Sequence, residues 1–72
     1  MSYVTIDITT LGADGRPRAI VRTCACSLAG AFRVADSHTP APLNPAVRRR
    51  IRRCRGGSAQ VGRVHVAIGC AA

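Results

Sequence analysis

The strongest constraint on the fold is an alternation of apolar and polar residues on both sides of a two-residue turn. YVTIDITTL, residues 3–11, alternates β-branched apolar residues with polar ones, as a half-buried strand does. Asp14-Gly15 follows, and both residues tolerate the positive φ that a tight hairpin turn requires. RAIVRTCACSL, residues 18–28, then has the composition of a returning strand. The pattern predicts a β-hairpin over residues 3–28.

The position of the turn also predicts which residues face each other across the hairpin. With Asp14-Gly15 at the tip, Ile8 opposes Val21 on one face. Asp7 then opposes Arg22 on the other face. Apolar pairs and pairs of opposite charge are both favourable between neighbouring strands, so this register is consistent with the residues on each face.

Three further segments complete a predicted α+β fold, a single small domain over residues 1–72. AGAFRVADS, residues 29–37, carries apolar residues two positions apart and predicts a short third strand. A Pro-rich loop is expected over residues 37–43, and VGRVHVAIGC predicts a C-terminal strand over residues 61–70. The predicted order is β-β-(β)-α-β, with one helix packed on a small antiparallel sheet.

The helix is predicted over residues 45–55, where the sequence signals both a start and an end. Asn44 is a good N-cap, and Pro45 suits the first helical position. Gly56-Gly57 can end the helix by adopting the left-handed conformation.

One face of this predicted helix is apolar and the rest is cationic. Val47, Ile51 and Cys54 fall within about 60° of one another at 100° per residue. This stripe is wide enough to dock the helix on a sheet. The remaining surface carries six arginines, Arg48, Arg49, Arg50, Arg52, Arg53 and Arg55.

These arginines carry most of the formal net charge of +8. Like charges three or four positions apart on a helix cost about 0.2–0.5 kcal/mol per pair, and a bound polyanion would remove that cost. Guanidinium groups donate paired hydrogen bonds to phosphate and stay charged at any physiological pH. We therefore expect the helix, with Arg63 of the C-terminal strand, to bind the phosphate backbone of DNA or structured RNA.

Two other interpretations of the arginine cluster remain open. The chain has the size and character of small inhibitors or adaptors carried by mobile elements, whose basic helix would dock on an acidic protein or a nucleoprotein complex. Alternatively, a GC-rich genome favours Arg over Lys, and the helix is simply solvated. Only Tyr3 and Phe32 could stack on bases, which argues against single-strand binding. The apolar stripe is too narrow for a membrane surface, so no membrane partner is expected.

The cysteines and acids do not form a pattern typical of a catalytic or metal site. Cys24, Cys26, Cys54 and Cys70 are spaced unlike the C-x2–4-C knuckles of structural zinc sites. A zinc site or a Cys54–Cys70 disulfide stays an alternative, but burial of these two as free thiols is favoured. Glu is absent and the three Asp are scattered, so general acid–base chemistry lacks candidates. We expect neither an enzyme nor a cofactor.

Two expectations concern location and assembly. The segment MSYVTIDITT lacks the basic and long apolar stretches of a signal peptide, which favours a cytoplasmic location and disfavours structural disulfides. A chain of 72 residues buries a small core, and a small sheet leaves an edge unpaired. A homodimer is therefore a reasonable hypothesis.

Overall fold

The computed structural model describes residues 3–70, which form two helices and four strands. In chain order these are β1 (Val4–Leu11), β2 (Pro17–Ala25), α1 (Leu28–His38), α2 (Pro45–Cys54), β3 (Gly56–Val61) and β4 (Val64–Cys70). The strands make one antiparallel sheet in the order β2-β1-β4-β3. The predicted α+β class is confirmed, but the order along the chain is β-β-α-α-β-β.

The N-terminal hairpin has the predicted register. Ile8 pairs with Val21 and Asp7 with Arg22, and the pairing stays regular until an irregularity between Thr10 and Leu11. That irregularity makes the connecting loop longer than two residues. Gly15 adopts a positive φ of 79° within it, but Asp14 does not, so the two-residue turn predicted at Asp14-Gly15 is wrong in its detail. The strand β2 ends at Ala25, three residues before the predicted end of the hairpin at residue 28.

The core lies between one face of the sheet and the two helices. Alternate residues of β1 and β4 face the helices and are buried, as a period of two predicts. The buried apolar residues are Val4, Ile6, Ile8, Ala31, Phe32, Ala35, Leu43, Ile51, Val64, Val66 and Ile68. The opposite face of the sheet is not covered by any element within residues 3–70.

The predicted third strand is wrong, because residues 28–38 form the helix α1. Ser27 caps it, its Oγ accepting a hydrogen bond from the Gly30 amide at 3.2 Å. Leu28, Ala31, Phe32 and Ala35 follow the i, i+3, i+4, i+7 spacing that places all four on the face toward the core. Burying that face outweighs the strand-like alternation around Phe32.

The C-terminal region is a second hairpin, not one strand over residues 61–70. Val61 belongs to β3, and a two-residue turn of Gly62 and Arg63 leads into β4. Gly62 has a φ of 60°, the left-handed conformation that such a turn needs. Because Gly56–Val61 contains few β-branched residues, β propensity alone did not indicate this strand.

The helix α2 begins as predicted and ends by a different mechanism. Asn44 Oδ1 accepts a hydrogen bond from the Ala46 amide at 2.8 Å, and Pro45 is the first helical residue. At the other end Arg55, not a glycine, adopts the left-handed conformation with φ 57° and ψ 38°. Its amide donates to the Ile51 carbonyl, and Gly56 already starts β3.

Candidate functional site

The helix α2 is held on the protein by the narrow side that carries Ile51. Ile51 is 1% exposed and Val47 is half-buried, as the apolar stripe predicted. Gly57 of β3 lies directly against Ile51, since a Cβ at residue 57 would sit 3.2 Å from Ile51 Cγ1. Cys54 is exposed, so its predicted burial is wrong. The rest of α2 faces solvent.

Arg48 is bound within the protein and is therefore structural. Its Nη2 lies 2.6 Å from Asp36 Oδ2, and its Nε donates to the Leu43 carbonyl at 3.1 Å. Asp36 Oδ1 also accepts from the Leu43 amide at 3.1 Å. This cluster ties α1, the Pro-rich loop and α2 together while the Arg48 and Asp36 side chains are only 31% and 27% exposed.

Replacing Asp36 with asparagine is expected to lower the free energy of unfolding by about 1.5–3 kcal/mol, the usual worth of hydrogen bonds to a charged partner. Urea denaturation followed by circular dichroism measures the change. Asp7→Asn is the matched control, because its ion pair with Arg22 is 3.8 Å long and exposed. The control should stay within about 1 kcal/mol of the wild type. Equal losses in both variants would contradict a structural role for Asp36.

Arg50 also has a partner within the protein. Its Nη2 donates a hydrogen bond of 2.8 Å to the Ser58 carbonyl of β3. Arg50 itself stays exposed, so the contact orients its guanidinium without burying it. Two of the six predicted helix arginines are thus engaged by the fold.

Phe32 fixes a third guanidinium at the surface of α2. Its ring is buried, and Arg48 Cζ and Arg52 Cζ lie over it at 5.6 Å and 5.2 Å from the ring centroid. Both distances are in the range of cation–π attraction. Arg52 therefore stays exposed with a restricted orientation.

Four of the six helix arginines have no hydrogen-bonding or ion-pairing partner among residues 3–70. Arg49, Arg52, Arg53 and Arg55 are exposed and make no hydrogen bond through their side chains and no ion pair there. We call these four the free arginines. The first three fall within about 100° of helix surface at 100° per residue, so they point to one side. They form a compact cationic surface.

The three Asp side chains of the protein are paired with arginines outside this surface. Asp14 and Asp7 pair with Arg18 and Arg22 of β2 at 3.9 and 3.8 Å. Asp36, the third acid in the chain, is bound to Arg48. Within residues 3–70, no Asp side chain is therefore left over to neutralise the free arginines.

The cationic surface borders an open cavity of about 210 Å³. Arg52 and Arg55 line one side of it, and Tyr3 lies among the other lining residues. Cys26 and Cys70 also line the cavity. The predicted burial of Cys70 is only partly right, because its side chain is half-buried.

Arg63 lies at the opposite end of β3 from Arg55. It lies in the turn between β3 and β4, whereas Arg55 precedes the first residue of β3. The six residues of β3 separate the two by about 20 Å at 3.3 Å per residue. A ligand would have to span that length to contact Arg63 and Arg55 together.

The cysteines are free, and the described part of the chain holds no assembled metal site. Cys24, Cys26 and Cys54 are exposed, and none of the four cysteines is in a disulfide. Across residues 3–70, no three His, Cys, Asp or Glu side chains are grouped so that they could hold a metal ion. In the same range, neither helix is long and apolar enough to cross a membrane.

Comparisons with protein families, with curated proteins and with solved structures give no match to this chain. Any function must therefore be inferred from the residues themselves. The feature that these residues offer is the cationic surface on α2.

Proposed function

We propose that this protein binds the phosphate backbone of duplex DNA or structured RNA through the free arginines of α2 and its C-terminal cap. The observation that carries the proposal is that four exposed guanidinium groups of α2 and its cap have no hydrogen-bonding or ion-pairing partner within residues 3–70. All three carboxylates of the chain are paired with other arginines. A polyanion would supply the missing negative charge.

The proposed binding mechanism is electrostatic and independent of base sequence. Each guanidinium donates paired hydrogen bonds to phosphate oxygens and displaces condensed counterions. Arg52 is already oriented by its contact with Phe32, so less side-chain entropy is lost on binding. Contacts of this kind position a protein on the backbone without reading bases.

The position of the aromatic residues favours backbone binding over stacking. Phe32 is 3% exposed and stacks on its own arginines, so it offers no face to a base. Tyr3 is 50% exposed but is a single ring. Proteins that hold single strands place several aromatic rings along the path of the bases.

We limit the proposed contacts to the free arginines. Arg48 is not among them, because it is committed to Asp36 and to the Leu43 carbonyl. Arg50 is held by Ser58, and Arg63 lies at the far end of β3 from Arg55, so we do not include either in the proposed contacts. We further propose a cytoplasmic location, which the four free thiols fit because that compartment is reducing.

The test is binding to a mixed-sequence DNA duplex and to a structured RNA at several salt concentrations. Four phosphate contacts predict a slope of about −3.6 for log affinity against log salt on the duplex. In the double variant Arg49→Ala, Arg53→Ala the slope should fall to about −1.8. That loss corresponds to about 10–100-fold in affinity at 0.1 M salt.

The matched control removes the same charge from elsewhere. Arg16→Ala, Arg33→Ala replaces two exposed arginines of the hairpin loop and α1 that make no ion pair among residues 3–70. Its slope should stay near that of the wild type. Equal losses of affinity in both double variants would show that binding depends on net charge alone and not on the position of the arginines. Absence of binding to either nucleic acid at low salt would refute the proposal and favour an acidic protein as the partner.

A further inference from the structure

The strand β2 is an open edge of the sheet. It pairs only with β1, and none of its nine residues is fully buried. Ile20 is 59% exposed on the outer face, and Val21 is 40% exposed on the face that carries the helices. An unpaired edge with exposed β-branched residues is a template for another strand.

Two hydrogen bonds show which backbone groups of β2 are unpaired. The Leu11 amide donates a hydrogen bond to the Arg63 carbonyl, on the side of β4. The next amide, that of Gly12, donates to the Arg16 carbonyl, on the side of β2. Because successive residues of a strand point to alternate sides, even-numbered residues of β1 bond to β2. Their partners in β2 are odd-numbered. The N–H and C=O groups of Ile20, Arg22 and Cys24 therefore point to the free edge.

The opposite edge of the sheet is protected, in contrast to β2. The strand β3 has six residues and begins with two glycines. The Arg50 guanidinium donates a hydrogen bond to the Ser58 carbonyl of that strand, so this edge carbonyl already has a partner. In β2, Pro17 and the irregularity at Arg18 are confined to its start, and the segment from Ala19 to Ala25 contains neither Pro nor Gly and pairs regularly with β1. A short strand and an edge carbonyl bonded to a charged side chain, both present in β3, are features that hinder pairing at a sheet edge.

We propose that a second copy of this chain pairs with β2, so that two sheets join antiparallel about a two-fold axis at Val21. This register keeps the pairing within β2, because Val21 is the central residue of Pro17–Ala25. Centring the axis on Ile20 would place Arg18 opposite Arg22, and centring it on Arg22 would place two arginines opposite each other. The Val21 register avoids both like-charge contacts.

The proposed pairing covers the exposed apolar residues of the edge. The two Val21 side chains meet on the helix-bearing face, and each Ile20 lies beside the aliphatic part of an Arg22 from the other copy. Arg22 keeps its ion pair with Asp7, which lies on its own copy. Because α2 packs at the far side of the sheet, against β3, this assembly does not depend on the proposed function.

The experiment measures the mass of the full chain by light scattering at micromolar concentration. Nuclease treatment and 0.5 M salt prevent nucleic acid from bridging two copies. We expect a dimer for the wild type and a monomer for Val21→Arg, which places two charges in contact at the axis. Gln60→Arg, on the exposed surface of β3, is the matched control and should stay dimeric. A monomeric wild type, or a dimer that Val21→Arg leaves intact, would overturn the proposal.

Cross-linking tests the register separately and does not rely on a disruptive variant. With the four native cysteines changed to serine, Val21→Cys should form a disulfide-linked dimer on mild oxidation. Ala19→Cys should not, because residue 19 then opposes Thr23 of the other copy. The reverse pattern, or linkage of wild-type chains through Cys24, would refute this register. Circular dichroism identifies folded variants before either measurement is interpreted.

Discussion

Replacing Phe32 with alanine is expected to lower the free energy of unfolding by about 3–5 kcal/mol, the usual cost of truncating a buried aromatic residue. Phe32 is 3% exposed and is the one phenylalanine in the chain. A single core of this size supplies only about 3–5 kcal/mol of net stability. We therefore expect a large unfolded fraction at 37 °C.

The loss in the free energy of unfolding should exceed the value expected from the apolar area of the ring alone, because Phe32 also contacts two cations. Arg48 and Arg52 lie over the ring at 5.6 and 5.2 Å and connect it to α2. Thermal and urea unfolding, followed by circular dichroism, measure the effect. Phe32→Leu is the control, which keeps most of the volume and should cost about 1.5 kcal/mol or less. A native-like midpoint for Phe32→Ala would contradict the central position of this ring.

Ile51→Ala is expected to cost about 2–5 kcal/mol and to weaken nucleic-acid binding as well. Among the described residues of α2, Ile51 is the one that is buried, and it contacts Gly57 of β3. Its loss leaves α2 without its main apolar anchor, while every free arginine remains in the chain. Urea unfolding and the salt-dependent binding series measure the two effects on the same variant.

Val47→Ala is the control for Ile51, since it lies on the same side of α2 but is half-buried. We expect it to cost about 1 kcal/mol or less, in proportion to the smaller apolar area that it buries. Binding by this variant should be close to that of the wild type. If Ile51→Ala instead bound as tightly as the wild type at temperatures where it is folded, docking of α2 would not matter for the proposed interface.

The hairpin and the start of α2 were predictable because their signals are local. Alternation on either side of Asp14-Gly15 defines both faces and the register, since a slip of one residue would turn every side chain to the wrong side. Asn44 and Pro45 satisfy the first amides of α2 within two residues. Neither inference requires knowledge of a distant part of the chain.

The helix α1 was mispredicted although its signal is present in the sequence. Ser27 is an N-cap, and the residues that follow it have helical spacing. Two apolar residues at positions 32 and 34 also fit a strand, and Gly30 favours neither structure. Docking of Phe32 between α2 and the sheet decides between these local alternatives. The strand β3 depends in the same way on pairing with β4.

The candidate site shows the same division between local and distant information. The arginine run indicated a cationic helix, but it gave no means of distinguishing Arg48 from Arg49. Arg48 is engaged because Asp36, twelve positions earlier, is brought to 2.6 Å by the packing of α1 on α2. Arg50 is engaged because β3 returns along the helix.

The sequence by itself determined where the charge is concentrated, which residues face each other in the first hairpin, and where α2 begins. Only the tertiary structure decided which guanidinium groups are matched, which strands form the two edges of the sheet, and that residues 28–38 are helical. The physical reason is the distance along the chain over which each kind of interaction acts. Strand alternation and helix caps act between residues a few positions apart, whereas the partner of a carboxylate, a carbonyl or a strand edge depends on contacts between distant segments.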